Sequence, residues 1–157
     1  MTADIVIAPE TPLQDDVRAM VAELNAHMIP LTPREFQFQL TVEQMARPSV
    51  TCLVARDASG APLGMASLKD HGGGLGEVKR MFTKPAARGR RVGAALLARV
   101  EEFARRRGVG RLVLETGEAP GFEPAWRVYE RGGFSTCGAV LDYPDSGWSR
   151  FYEKMLA

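Results

Sequence analysis

The stretch that decides the fold is Met81-Phe82-Thr83-Lys84-Pro85-Ala86-Ala87-Arg88-Gly89-Arg90-Arg91-Val92-Gly93-Ala94-Ala95-Leu96-Leu97. An apolar strand ends at Thr83, a proline-containing turn follows, and a loop of Gly and Arg opens a long helix. The first amides of a helix have no partners within it and carry the positive end of its dipole, so they are ready to bind an anion. Arg88, Arg90 and Arg91 can add charge-assisted bonds to phosphate oxygens. The small residues Gly89, Gly93 and Ala94 let an anion approach closely. On that reading, replacing Gly93 with Leu weakens anion binding without unfolding the domain. The residues alone leave a second reading open, a plain strand-to-helix turn with solvated arginines. The spacing is neither that of a P-loop nor that of a dinucleotide-binding turn.

Downstream, Val92, Ala95, Leu96, Val100, Phe103 and Ala104 recur at steps of three and four, which predicts an amphipathic helix ended by Gly108 and Gly110. Residues 111–116 form a mostly apolar strand, as a buried parallel strand does. Ala125, Val128 and Tyr129 mark a shorter helix closed by Gly132-Gly133, and residues 134–140 and 150–156 read as two final strands. Upstream, strands 51–56 and 63–69 flank the turn Asp57-Ala58-Ser59-Gly60, and His71-Gly72-Gly73-Gly74 turns into a third strand over 77–83. Before them come a strand at 5–8 and a helix opened by Pro12, with Val17, Met20, Val21 and Leu24 as its apolar stripe. A weaker helical stretch runs from Pro33 to before Pro48. Strand, helix, strand in series implies a right-handed crossover and a parallel pair, set beside an antiparallel meander. The fold class is therefore α/β in the mixed α+β sense: a single domain over residues 1–157, with a mixed, mostly antiparallel sheet and helices on both faces.

Charge is distributed unevenly. The net charge is +1, yet residues 79–111 hold 11 of the 20 Lys and Arg and only two acids, Glu101 and Glu102. A basic segment in an otherwise acidic chain suggests a local polyanion site, although a solvated helix face accounts for Arg105, Arg106 and Arg107. Nucleic-acid binding is disfavoured, because these arginines alternate with core positions and no stacking aromatics accompany them. No apolar run is long enough for a bilayer, and the first ten residues, with Asp4 among them, do not read as a signal peptide. Cys52 and Cys137 read as buried free thiols of a reducing compartment, and no metal-ligand spacing occurs. The expectation is a cytoplasmic protein with no membrane, nucleic-acid or metal partner. Its oligomeric state, a homodimer included, is left open.

The segment opening at Arg88 resembles motif A of the GNAT acetyltransferases: Gln or Arg, two residues of any kind, Gly, one of any kind, then Gly or Ala, with Gly93 last. Ala125-Trp126-Arg127-Val128-Tyr129-Glu130-Arg131-Gly132-Gly133-Phe134 is similar to motif B of that family, at the expected distance. The stretches Glu77-Val78-Lys79-Arg80-Met81 and Leu114-Glu115-Thr116-Gly117 also look like those of a bacterial subgroup often labelled as acting on small molecules. The resemblance implies acetyl-CoA as co-substrate, with its pyrophosphate on the amides of Arg88, Gly89, Arg90, Arg91, Val92, Gly93 and Ala94. Its pantetheine arm would lie along Met81, Phe82 and Thr83. One departure is Arg91, which stands where the first motif glycine belongs. The family also implies that residues 49–157 carry acetyl-CoA while residues 1–48 shape the acceptor side.

Acetyl transfer to an amine needs a base for the amine proton and an acid for the departing thiolate. Tyr129 occupies the motif B tyrosine position, which implies the acid; a tyrosine packed in the core is the other reading. Glu77 and Glu115, on central strands, are the candidate bases, with binding of the substrate ammonium or pairing with Lys79 or Arg80 as alternatives. Arg80 is expected either to bind a substrate carboxylate or to neutralise Glu77. Thr116 and Tyr143 are candidate acceptor contacts, whereas His27 and His71 read as surface residues. A non-catalytic acyl-CoA sensor is the competing function, supported by the Arg91 departure and opposed by Tyr129.

Overall fold

One seven-stranded sheet, in the order β1-β2-β3-β4-β5-β7-β6, organises the computed structural model, which describes residues 5–156. The elements in chain order are β1 (Val6–Pro9), α1 (Asp15–Met28), α2 (Val42–Met45), β2 (Val50–Arg56), β3 (Pro62–Gly72), β4 (Leu75–Thr83), α3 (Val92–Arg106), β5 (Arg111–Gly117), α4 (Glu123–Arg131), β6 (Ser135–Cys137) and β7 (Ser149–Met155). Neighbouring strands are antiparallel except β4 and β5, the parallel pair joined by α3 as the crossover. The mixed, mostly antiparallel sheet and the two-sided helix cover expected from the sequence are present. Three local expectations were wrong. The helical stretch expected from Pro33 is one 3-10 turn, Arg34–Phe36, preceded by another at Ile29–Leu31, then an extended segment before the short α2. Pro30 and Pro33 remove backbone donors there, and Thr41 and Gln44 start a fresh helix with a capping box. The strand at 134–140 shrinks to β6, an edge strand with three paired residues. Conversely, β3 continues past Lys69 to Gly72, so His71 belongs to a strand.

Alternation along the strands divides the core. Leu53, Ala66, Leu68, Val78, Leu112, Leu114 and Tyr152 face α3 and α4, where Val92, Leu96, Leu97, Val100 and Tyr129 meet them. Cys52, Val54, Met65 and Phe82 face the stripe of α1 (Val17, Met20, Val21, Leu24) and α2. Each fully buried Leu or Met contributes about 1.5–3 kcal/mol relative to exposure, which is how a sheet of short strands holds two helical layers. A third apolar group, Val113, Val140 and Phe151, lies beside Tyr143 and Leu75.

The feature that positions the site is a splay. β4 pairs with β5 only at Leu75–Arg111, Gly76–Leu112 and Glu77–Val113. Beyond that point β5 stays paired with β7 to its end at Gly117, while residues 78–83 of β4 have no ladder partner on the β5 side. The cause is local to β4. Between Met65 and Ser67 of β3, two steps are matched by three on β4, Phe82 to Lys79, and Arg80 adopts φ 52°. That extra residue is a β-bulge, which bends its strand and so turns β4 away from β5.

Candidate active site

At the mouth of the splay, the loop from Lys84 to Arg91 opens α3. The first intrahelical bond comes from the Ala95 N–H to the Arg91 carbonyl at 3.0 Å. The amides of Val92, Gly93 and Ala94 therefore precede the helical ladder and carry its dipole. Arg88, Gly89, Arg90 and Arg91 are exposed, so their charge is available at this terminus. Arg91 caps the helix with φ 61° and ψ 24°, a left-handed conformation. That backbone is one glycine adopts freely and an L-residue holds at a cost of roughly 1–2 kcal/mol. A Cβ placed on Gly93 would meet Thr83 Oγ1 and both Val128 methyls at 3.5 Å, ordinary contact distance, so a methyl fits where α3 packs on α4 while a longer side chain has Val128 in its way. Gly93→Ala is accordingly expected to be tolerated. Gly93→Leu is expected to overpack the α3–α4 contact and lose about 1–3 kcal/mol in urea denaturation, contrary to a binding-only effect.

Tyr129 lies on this same side of the sheet, buried, with its ring 6.2 Å from that of Phe134 and 5.8 Å from that of Tyr152. Burial first, then the charge of Glu115, holds its phenol above the ordinary range, and no hydrogen bond contributes to the shift. It is therefore the neutral, proton-bearing form throughout the physiological range. Trp126 Nε1 donates to the Gly117 carbonyl at 2.9 Å and the Arg150 guanidinium stacks 3.6 Å above its ring, so α4 is pinned to the end of β5. Sequence reasoning passed over Trp126, although it sits inside the motif B stretch. Thr116 shares the face of Leu112 and Leu114 by alternation along the regular β5–β7 register. It thus lies with Tyr129 and is separated by the sheet from Tyr143, with which it had been grouped.

The opposite face carries the carboxylates. Glu77, at the last paired position of β4, is 2% exposed and surrounded. His71 Nε2 lies 2.9 Å from its Oε1, Tyr143 donates a short hydrogen bond to Oε2, and Lys79 Nζ is 3.6 Å from Oε2. Lys79 in turn donates to the Tyr143 hydroxyl at 2.7 Å and to the Phe38 carbonyl at 3.1 Å. Burial lowers the Lys79 pKa, partly offset by the charges of Glu77 and Glu115. Burial, with the Glu77 charge, raises that of Tyr143. Phe38, Lys69, His71, Glu77, Leu141, Asp142 and Tyr143 line a cavity of about 270 Å³. Glu115 is less committed: Ser149 Oγ donates to it at 2.7 Å, and burial raises its pKa more than that bond and Lys79 lower it. Arg80 does not neutralise Glu77; its Nη2 donates to Asn25 Oδ1 of α1. His71 is at the surface as expected, but its ring turns in to Glu77, a pairing that the early end assigned to β3 concealed. His27 is exposed and reaches the Gly121 carbonyl at 3.2 Å. Burial pushes the Cys52 thiol up to about 11 and also raises that of half-buried Cys137, so neither is a thiolate at neutral pH.

The side chains of interest thus lie on both faces of the sheet about the parted strands β4 and β5, and comparison with known proteins gives the class of protein. The profile of the acetyltransferase (GNAT) family matches residues 17–134. The chain is 40% identical over 154 residues to the IAA acetyltransferase of Azospirillum brasilense, covering 98% of this chain and 99% of that protein. It is 33% identical to the uncharacterised N-acetyltransferase YsnE of Bacillus subtilis (strain 168), over 88% and 93% of the two chains. A crystal structure assigned as an acyl-CoA N-acyltransferase from Klebsiella pneumoniae subsp. pneumoniae MGH 78578 superposes over the whole of both chains with a TM-score of 0.83 at 29% identity. The chain belongs to the GNAT acetyltransferase family, and it is an N-acetyltransferase.

Proposed function

We propose that the chain transfers the acetyl group of acetyl-CoA to the amine of a small molecule, in one direct step. The observation that supports this reading is the splay between β4 and β5, through which the face of Tyr129 and the arginine loop would communicate with the face of Glu115. The amides of Val92, Gly93 and Ala94, with Arg88, Arg90 and Arg91, would hold the pyrophosphate; the unpaired edge of Met81, Phe82 and Thr83 would bond the pantetheine arm. The acceptor would approach from the side covered by α1 and residues 29–40. The amine nitrogen attacks the thioester carbon and the carbon–sulfur bond breaks. Glu115 takes the proton from nitrogen and Tyr129 gives its phenolic proton to the sulfur. Glu115 is preferred as base because its carboxylate is raised toward neutrality by burial and has one hydrogen bond, whereas both oxygens of Glu77 are taken. Glu77 then organises His71, Lys79 and Tyr143 as the wall of the acceptor cavity. Arg91 holds the left-handed backbone that a glycine would adopt, which weakens the support it lends to a non-catalytic sensor. Among the described residues no helix is long and apolar enough to cross a membrane; the donor acetyl-CoA and two unpaired thiols favour the cytoplasm.

Calorimetry with acetyl-CoA, followed by thiol release with a panel of amines, tests the reading. Micromolar binding, about −8 kcal/mol, and amine-dependent release are expected. Absence of binding at millimolar acetyl-CoA sinks it, and binding without release to any amine returns the sensor reading.

A further inference from the structure

Among the described residues, three Asp, Glu, Lys or Arg side chains lie almost wholly buried, Glu77, Arg80 and Glu101. Two of them are matched. Glu101 receives Lys154 Nζ at 2.8 Å, and Glu77 has His71, Lys79 and Tyr143. Arg80 is not matched. It is 6% exposed, its one side-chain partner is the neutral Asn25, its Nε has no hydrogen-bond partner, and no carboxylate pairs with it among the described residues. A guanidinium out of water without a counter-charge is strongly unfavourable. Its pKa is accordingly lowered to about 10, by burial alone and with no carboxylate contributing. The backbone adds to the cost, since Arg80 holds φ 52° at the bulge. A side chain retained at that cost, on the strand that parts from β5, calls for an anion that the chain does not itself supply.

Its placement says which anion. The bulge sends Lys79 and Arg80 in succession to the α1 face, the first to Phe38 and Tyr143, the second to Asn25. That face is the acceptor side in the reading above, away from the phosphate-binding amides. Lys79 is already engaged by Glu77 and Tyr143, so one uncompensated positive charge remains. A single guanidinium suits a planar monoanion held through two N–H groups. The Asn25 amide, its oxygen occupied by Arg80, offers a further N–H. We propose that Arg80 and Asn25 bind a carboxylate of the acceptor, and that the acceptor is an amine that also carries a carboxylate, of the amino-acid class. The inference rests on the acetyl-transfer reading and adds the substrate class. The carboxylate neutralises Arg80 while the amine reaches the gap beside Glu115.

Matched acceptor pairs test this: phenylalanine with phenethylamine, leucine with isopentylamine, lysine with cadaverine, and further amino acids with their decarboxylated amines. In the wild-type enzyme, kcat/KM for the preferred amino acid should exceed that of its decarboxylated partner by roughly 10–100-fold, the usual weight of hydrogen bonds to a charged group. In Arg80→Gln the KM of the amino acid should rise by a similar factor with kcat little changed, while the decarboxylated amine keeps its KM. Arg80→Met serves as the second variant, and acetyl-CoA calorimetry checks the fold of both. Wild-type enzyme that prefers decarboxylated amines, or does not discriminate, overturns the proposal and leaves acetyl transfer standing. Arg80→Gln that slows both members of a pair equally overturns it as well, marking Arg80 as a support for the bulge. Transfer to no amine in either set removes the acetyl-transfer reading and the proposal with it.

Discussion

Replacing Tyr129 with Phe is expected to lower kcat by about 10²–10⁴-fold, or roughly 3–5 kcal/mol of barrier, with acetyl-CoA affinity nearly unchanged. The substitution keeps the ring that packs on Phe134 and Tyr152 and removes only the hydroxyl. The raised pKa bears on the size of the effect. Burial disfavours the phenolate, but the same surroundings disfavour a naked thiolate, so proton transfer to sulfur is driven by a leaving group made more basic. Steady-state kinetics with chemistry rate-limiting, beside calorimetry, is the measurement. A loss confined to binding would reassign the hydroxyl to a ground-state contact. Full retention of kcat would hand protonation of the sulfur to water, and placement of the reactants would have to supply the acceleration.

Glu115→Gln is expected to cost about 10²–10⁴-fold in kcat as well, since the amide still accepts from Ser149 but cannot take a proton. Two pH signatures separate this from a packing defect. In the wild type, kcat/KM should fall as pH drops through the raised pKa of Glu115, at a pH above the ordinary carboxylate range; the residual activity of Glu115→Gln should lack that limb. Burial favours the protonated carboxyl in the folded state, so the favourable contribution to stability is present below the unfolded pKa and is lost as pH rises through the folded one. At neutral pH the wild type therefore carries a buried-charge penalty that the variant lacks. Its Tm should match or exceed that of the wild type at pH 7, and the gap should close in acid. A Tm well below wild type at neutral pH would make Glu115 a structural group, and an unchanged acid limb would return the base to Glu77.

What the sequence determined by itself was whatever depends on neighbours in the chain. The period of Val92, Leu96 and Val100 makes a helix wherever it lies, and the arginine loop before it makes an anion-binding terminus, because both effects act within a turn or two. The strand, helix, strand series implied the parallel pair, and the order of the two motifs implied the family. Tertiary structure decided what depends on residues far apart. The bulge at Arg80 exists only against β3, so neither the splay nor the orphaned guanidinium could be read from Lys79-Arg80-Met81. That Val128 of α4 packs against Gly93 was likewise invisible in the sequence. Glu77 and Glu115 were equivalent as carboxylates on central strands. They became different when His71, six residues on one side of Glu77, and Tyr143, far along the chain on the other, closed over one and left the other with a single serine. Local periodicity is a property of the chain, whereas burial and charge compensation are set by which distant side chains folding brings within about 4 Å, and those decide what each carboxylate and cation can do.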